Sequence, residues 1–352
     1  MIITTFGTPS AFTQWCTHLL GIMAEIALDG VDHISGTTVE SLKEAWRQRS
    51  QPHVLFFSDH PDQEIVDIYQ RTNAPVLIFV EDLVDAAYFI ARERQIDFLS
   101  AVHLTVQSIL SFYIAFFIPR ALIIQRNDKR TMGEFFHSIG DHIGWDMTPH
   151  QFKQLEQIVG VASDDNFEAA MLSFMSLARS IGMGHEGMPE PADQILIDVL
   201  NQYQPITRKL PIDEIVWPWE VLRTIEPHSA DTSNWINLVG PGRCITYGPY
   251  FGVPRGHWTA SVVFSVKDNK SGNIFYVDVV CGEVIAMVEA TLPENGSFLV
   301  TLDFQVDTNK AVLEIRTSIK HGAIEGEIAV DEILLVRSKN YTHIPQYSTI
   351  DD

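Results

Sequence analysis

The segment IITTFGTPSAFTQW, residues 2–15, sets a short apolar run before a Gly-Thr-Pro turn and the opening of an amphipathic stretch. A strand that passes through a glycine turn into a helix points unpaired backbone N–H groups at one place, which suits a phosphate or a sulfate. Gly7, Thr8, Pro9, Ser10 and Thr13 are the candidate anion-binding residues, offering N–H groups and hydroxyls. The turn holds no Lys or Arg, and Phe12 stands within it. Two readings are open. Either the turn still takes an anion or a neutral polar ligand, or Ser10 merely caps the helix while Phe12 packs in the core, and the second is preferred.

Other chemistry-bearing residues are scattered. Asp59 and His60, in FSDHPD, follow an apolar run and are the candidates for a general base, although a turn started by Asp59 and Pro61 explains them equally. His137, Asp141 and His142 share a helical spacing but lack a third ligand, so no metal site is expected. Cys16, Cys244 and Cys281 have neither metal-ligand spacing nor the number a disulfide framework needs.

The elements that must position these residues fall into two regimes. MIITTF, HVLFFS (53–58), PVLIFVE (75–81) and ALIIQR (121–126) are apolar on both faces and alternate with segments of helical spacing. This is the α/β pattern of a parallel sheet with helices on both faces. The run 108–124 is broken by Pro119 and Arg120 short of a membrane span, so a buried helix followed by a buried strand is expected. Residues 131–220 read as helical, with one helix ending near Gly144, the next starting after Thr148 and Pro149, and another over 165–180; 180–194 reads as a loop. From about 233 to 340 the period becomes two, with strands at 257–268, 273–282, 297–307, 311–320 and 326–337, the mark of an antiparallel sandwich. The expected domains are 1–226 and 233–340, with a tail over 341–352.

The strand, GTPSAFTQW and helix together resemble the sulfotransferases that use the donor PAPS, whose turn reads Gly-Thr-Pro-Arg-Ser-Gly-Thr-Thr-Trp; Gly7, Thr8, Pro9, Thr13 and Trp15 keep that frame. Asp82 and Asp85 match the family's second, 3′-phosphate-binding motif, and LIIQRNDKRTMGEFFHSIGDHIGWDMTPHQFKQL resembles its later strand and helices. The resemblance implies a P-loop-type parallel sheet. Ser10 stands where the family has a cation, Phe12 where it has a glycine, and Glu81 where it has an arginine. At about 4 Å and an effective dielectric near 20, each reversed charge is of order 4 kcal/mol, so PAPS binding is not expected and no cofactor is assigned.

The stretch CITYGPYFGVPRGHWTASVVFSV and the later GEIAVDEILLVR resemble jelly-roll carbohydrate-binding modules, which stack aromatic rings on sugar faces. That resemblance implies glycan-binding residues at Trp235, Tyr247, Tyr250 and Trp258; packing in a sandwich core is the competing reading. The formal charge of −21, from 45 acidic and 24 basic side chains, argues against nucleic acid and anionic membranes as partners. The basic residues at Arg120, Arg126, Lys129 and Arg130 read as a solvated helix end. A cytoplasmic, non-catalytic adaptor or regulator of surface-polysaccharide assembly, with a glycan or protein partner, is the expected role. A divergent sulfotransferase acting on a carbohydrate hydroxyl, and a purely structural interaction module, are the alternatives.

Overall fold

The computed structural model describes residues 1–178, 191–225, 234–308 and 311–338. They divide into two compact units, Met1–Leu210 and Pro211–Asp352. In the first, strands β1 (Ile2–Gly7), β2 (Val31–Ser35), β3 (His53–Ser58), β4 (Val76–Val80) and β5 (Ala121–Gln125) form a parallel sheet in the order β2-β3-β1-β4-β5. The helices are α1 (Ala11–Ala27), α2 (Val39–Gln48), α3 (Gln63–Thr72), α4 (Leu83–Arg94), α5 (Phe98–Ala115), α6 (Met132–Ile143), α7 (Pro149–Val159), α8 (Phe167–Ala178), α9 (Pro191–Asn201) and the short α10 (Gln204–Thr207).

The central strands are apolar on both faces because both are covered. Ile3, Leu55, Leu77 and Phe79 pack with Trp15 and Leu19 of α1, Phe135 of α6, Leu155 of α7 and Phe167 of α8. On the opposite side Phe6 stacks on Phe112 of α5 and meets the edge of Tyr69 of α3. With β1 between β3 and β4, the strand order reverses there, and the carboxyl ends of these strands form the crevice where open α/β sheets hold ligands.

Local chemistry sets the helix ends. Thr131 with Glu134, and Thr148 with Gln151, form reciprocal capping boxes; Pro149 occupies the first turn of α7, and Gly144 closes α6 at φ 83°. The run 108–124 resolves as the end of α5 and then β5. By length and composition α5 is apolar enough to cross a membrane, yet more than half of it is buried within the protein. β2 escapes the sequence pattern because VDHIS is an edge strand with exposed or half-exposed side chains.

The second unit contains β6 (Glu214–Pro218), a single 3-10 turn at Trp219–Val221, β7 (Arg223–Thr224), β8 (Trp235–Asn237), β9 (Arg243–Tyr247), β10 (Pro249–Gly252), β11 (Gly256–Lys267), β12 (Ile274–Cys281), β13 (Glu283–Thr291), β14 (Gly296–Val306), β15 (Val312–Ile319) and β16 (Glu327–Arg337). One antiparallel sheet runs β13-β12-β15-β9-β7 with β10 on β15; the other runs β14-β11-β16-β6 with β8 on β16. Phe264 of β11 lies 4.9 Å from Phe275 of β12, joining the two sheets through a shared core. The expected sandwich is therefore present.

Three expectations change. The division falls at 210/211 rather than 226, because Glu214–Pro218 is not helical but pairs with β16 as a strand of the sandwich. β13, unread in the sequence, pairs with β12 along its whole length. Arg126 is not a solvated helix residue; it follows β5 directly and turns into the crevice. The loop expected at 180–194 lies outside the described residues up to 190, and α9 begins at Pro191; the tail over 341–352 also lies outside them.

Candidate functional site

The turn after β1 is packed shut. Thr8, Ser10, Phe12 and Thr13 are each no more than 2% exposed. Ser10 is the N-cap of α1, its Oγ accepting from the Thr13 N–H at 3.0 Å. Thr8 donates its N–H to the Phe79 carbonyl, and its Oγ1 accepts from the Glu81 N–H at 2.9 Å, tying the turn to β4. Phe12 meets Phe167 edge to face at 6.1 Å. A Cβ added at Gly7 would lie 2.5 Å from Thr13 Cγ2. The glycine is thus needed for the close approach of the protein's own helix, where a phosphate-binding turn would keep the space for its ligand. Of the two sequence readings, the cap and the core phenylalanine describe the turn.

Beside it, at the end of β4, Glu81 is 2% exposed. Burial pushes its carboxyl from the ordinary 4.5 up to about 7, the Arg126 guanidinium only partly opposing this. Arg126 Nη1 lies 3.3 Å from Glu81 Oε1 and also binds Asp85. The crevice is therefore not free of cations, but Arg126 is committed to two carboxylates. Asp82 caps α4, accepting from the Val84 N–H at 2.9 Å, and accepts from Gln204 at 2.6 Å.

Asp59 and His60 sit at the carboxyl end of β3, with Nδ1 of His60 2.6 Å from Asp59 Oδ1. Burial pushes the Asp59 carboxyl up, but the His60 ring and Arg94 more than offset it and hold the group below its ordinary range. A carboxylate so held is a weak proton acceptor. His137 Nδ1 bonds the Gly133 carbonyl and stacks on Phe152, and His142 Nε2 bonds the Val76 carbonyl. Among the described residues no group of three or more His, Cys, Asp or Glu is placed to hold a metal ion.

The aromatic candidates of the sandwich separate into three places. Trp258 points into the core at 1% exposure, its indole N–H donating to the Pro254 carbonyl at 2.8 Å, so it is not a sugar-stacking residue. Trp235 belongs to β8 on the other sheet, half-buried, with Lys267 Nζ 4.2 Å from the centre of its ring. Tyr247 and Tyr250 lie together, rings 6.3 Å apart at 72°.

The sheet around the two tyrosines explains their placement. Along β15, Leu313 and Ile315 are buried while Glu314 and Arg316, alternating with them, are half-exposed on the other face. Tyr250 donates its hydroxyl to Glu314 Oε1 at 2.9 Å, and burial together with that carboxylate pushes the phenol up to about 12. Its backbone has φ 69°, a left-handed conformation costly for an aromatic residue, beside an irregularity in the β10–β15 pairing. The Arg223 guanidinium lies 5.9 Å from its ring centre. One strand further, Arg316 grips Asp278 through two hydrogen bonds at 2.7 and 3.0 Å. Glu314, Arg223, Asp278 and Arg316 carry no local motif; only the cross-strand register assembles them.

No protein-family model matches the chain, and no curated protein matches it in sequence. Among solved structures, a mouse sulfotransferase complexed with PAP is similar over 58% of this chain and 85% of its own, at 12% identity and a TM-score of 0.38. The carbohydrate-binding module TmCBM61, in complex with β-1,4-galactotriose, is similar over 36% of this chain and 88% of its own, at 11% identity and a TM-score of 0.24. The C-terminal CBM6 of LamC from Zobellia galactanivorans is similar over 36% of this chain and 100% of its own, at 14% identity and a TM-score of 0.22. The α/β part is thus structurally similar to a sulfotransferase and the sandwich to carbohydrate-binding modules. These are likenesses of fold, and no residue's role is carried over from them.

Proposed function

We propose that this protein is a non-catalytic glycan-binding adaptor or regulator, working in the cytoplasm beside surface-polysaccharide assembly. The observation that carries the reading is the Tyr247–Tyr250 pair, held at a fixed angle on a sheet face and flanked by Glu314, Arg223 and the Asp278–Arg316 pair. Aromatic faces stack on the apolar side of a pyranose while charged and amide groups read its hydroxyls. The left-handed backbone at Tyr250 supports it, since such strain persists where the surroundings over-determine a position and collects at binding sites. The closed turn after β1 supports the non-catalytic half of the reading.

A glycan array probed with the full chain tests it. Binding is expected, with Tyr247→Ala and Tyr250→Ala each losing it about tenfold or more while the protein stays folded. Tyr250→Phe keeps the ring and frees Glu314, and is expected to lose less. An array with no retained glycan, or one on which both alanine variants bind like the parent, overturns the proposal.

A further inference from the structure

β5 is an edge strand, and its register decides which backbone groups it leaves open. The Arg126 N–H donates to the Val80 carbonyl, and the Arg120 carbonyl accepts from Val76, so the even-numbered residues face β4. In a parallel ladder alternate residues face alternate sides, which turns Ala121, Ile123 and Gln125 outward. The Ala121 N–H is taken by Ile118 and the Gln125 carbonyl by Asp128. Among the described residues, the Ala121 and Ile123 carbonyls and the Ile123 and Gln125 N–H groups have no backbone partner.

These three residues line an open groove of about 640 Å³, bordered by Lys129, Arg208 and Lys209. All three cations are exposed and make no ion pair among the described residues. Among the described residues that line the groove the one carboxylate, Asp128, is taken by Arg130 at 2.5 Å. In a chain of net charge −21 this is a local excess of unneutralised positive charge.

We propose that the groove receives an extended acidic peptide segment of a partner protein, which adds a strand to the β5 edge. Donors and acceptors repeat along that edge at about 6.6–6.8 Å, the two-residue step of a strand, and a peptide matches both the step and the alternation. An anionic polysaccharide would use the cations alone and leave the ladder unmade. A second copy of this chain would bring like cations together across the edge.

The test is fluorescence polarisation of the full chain with a labelled peptide of alternating Glu and Val, about eight residues long. Saturable binding below about 1 mM is expected, weakening in about 0.5 M salt. Lys129→Glu combined with Lys209→Glu is expected to weaken it at least about tenfold. Ile123→Pro removes an outward N–H on an edge strand together with the isoleucine side chain and is expected to weaken binding comparably without unfolding the sheet, whereas Ile123→Ala, which removes the side chain and keeps the N–H, is expected to weaken it less. A peptide of equal charge with alternate amides methylated is expected not to bind. Absence of binding at about 1 mM overturns the proposal, as does equal binding of the methylated peptide. Alginate binding that heeds the charge reversal but ignores Ile123→Pro reassigns the groove to polyanions, and a dimer lost in Ile123→Pro with no peptide bound reassigns it to a second copy; either result overturns it.

Discussion

Glu81 concentrates the electrostatics of the α/β unit in one carboxyl. Its folded pKa near 7 lies above the ordinary 4.5, so the folded protein binds a proton that the unfolded chain gives up between those values. Stability contributed by the protonated group is complete below about pH 4.5 and declines as pH rises through 7. Glu81→Gln removes the titration. Relative to the parent it is expected to gain stability as pH rises from 5 to 8, on the order of 2 kcal/mol at the upper end, read by denaturant titration at each pH. A parent and variant with parallel pH profiles would contradict this. Trp258 makes the complementary case: Trp258→Ala is expected to cost about 3–5 kcal/mol in the same titration, as a core cavity does. Both residues were visible in the sequence as departures or as aromatics. What the sequence withheld was direction, since Trp258 turns inward and Tyr250 outward only once the pleat is laid against its neighbours.

At the scale of elements, helix ends were the most legible feature, because Thr148-Pro149 and Gly144 act through their own backbone. The Ser10 cap belongs to the same class. Ser10→Ala is expected to cost about 1 kcal/mol, while Ser10→Lys, which places a cation at a position 1% exposed, is expected to cost about 3 kcal/mol or more, both measured by thermal unfolding. Strands whose own composition does not declare them, whether the pairing partner is the neighbouring strand or a distant one, were less legible. EVIAMVEAT has the composition of a helix as much as of a strand, and only its ladder with β12 decides. LPIDEIVWPWEVL likewise becomes a strand through β16, more than a hundred residues later. A fragment starting at Pro211 is accordingly expected to fold more stably than one starting at 233, which lacks β6 and its pairing with β16; comparing their circular dichroism melts decides it.

For the whole molecule, the two-part architecture was readable because hydrophobic period changes from helical spacing to two along the chain, and each period reports which faces are covered. The parallel sheet, the sandwich and their order follow from that change. Which crevice is open does not, because it depends on side chains such as Phe12 and Phe167 that meet from distant segments. With the turn closed, PAPS or PAP at about 1 mM is expected to leave the melting temperature of the full chain unchanged, since only a ligand that binds the native state raises it. An upward shift that grows with concentration would return the divergent-sulfotransferase reading.

The Phe12–Phe167 contact also sets how this chain can evolve. Gaining nucleotide chemistry at that turn would take a smaller residue at 12, a positive side chain at 10 and the loss of the acid at 81. A smaller residue at 12 leaves a void and a cation at 10 a lone buried charge, each costing about 2–5 kcal/mol, whereas loss of the acid at 81 carries no such cost near neutral pH. Set against a typical domain's margin of about 5–15 kcal/mol, the first two changes are expensive steps, so the packing itself opposes reopening of the turn.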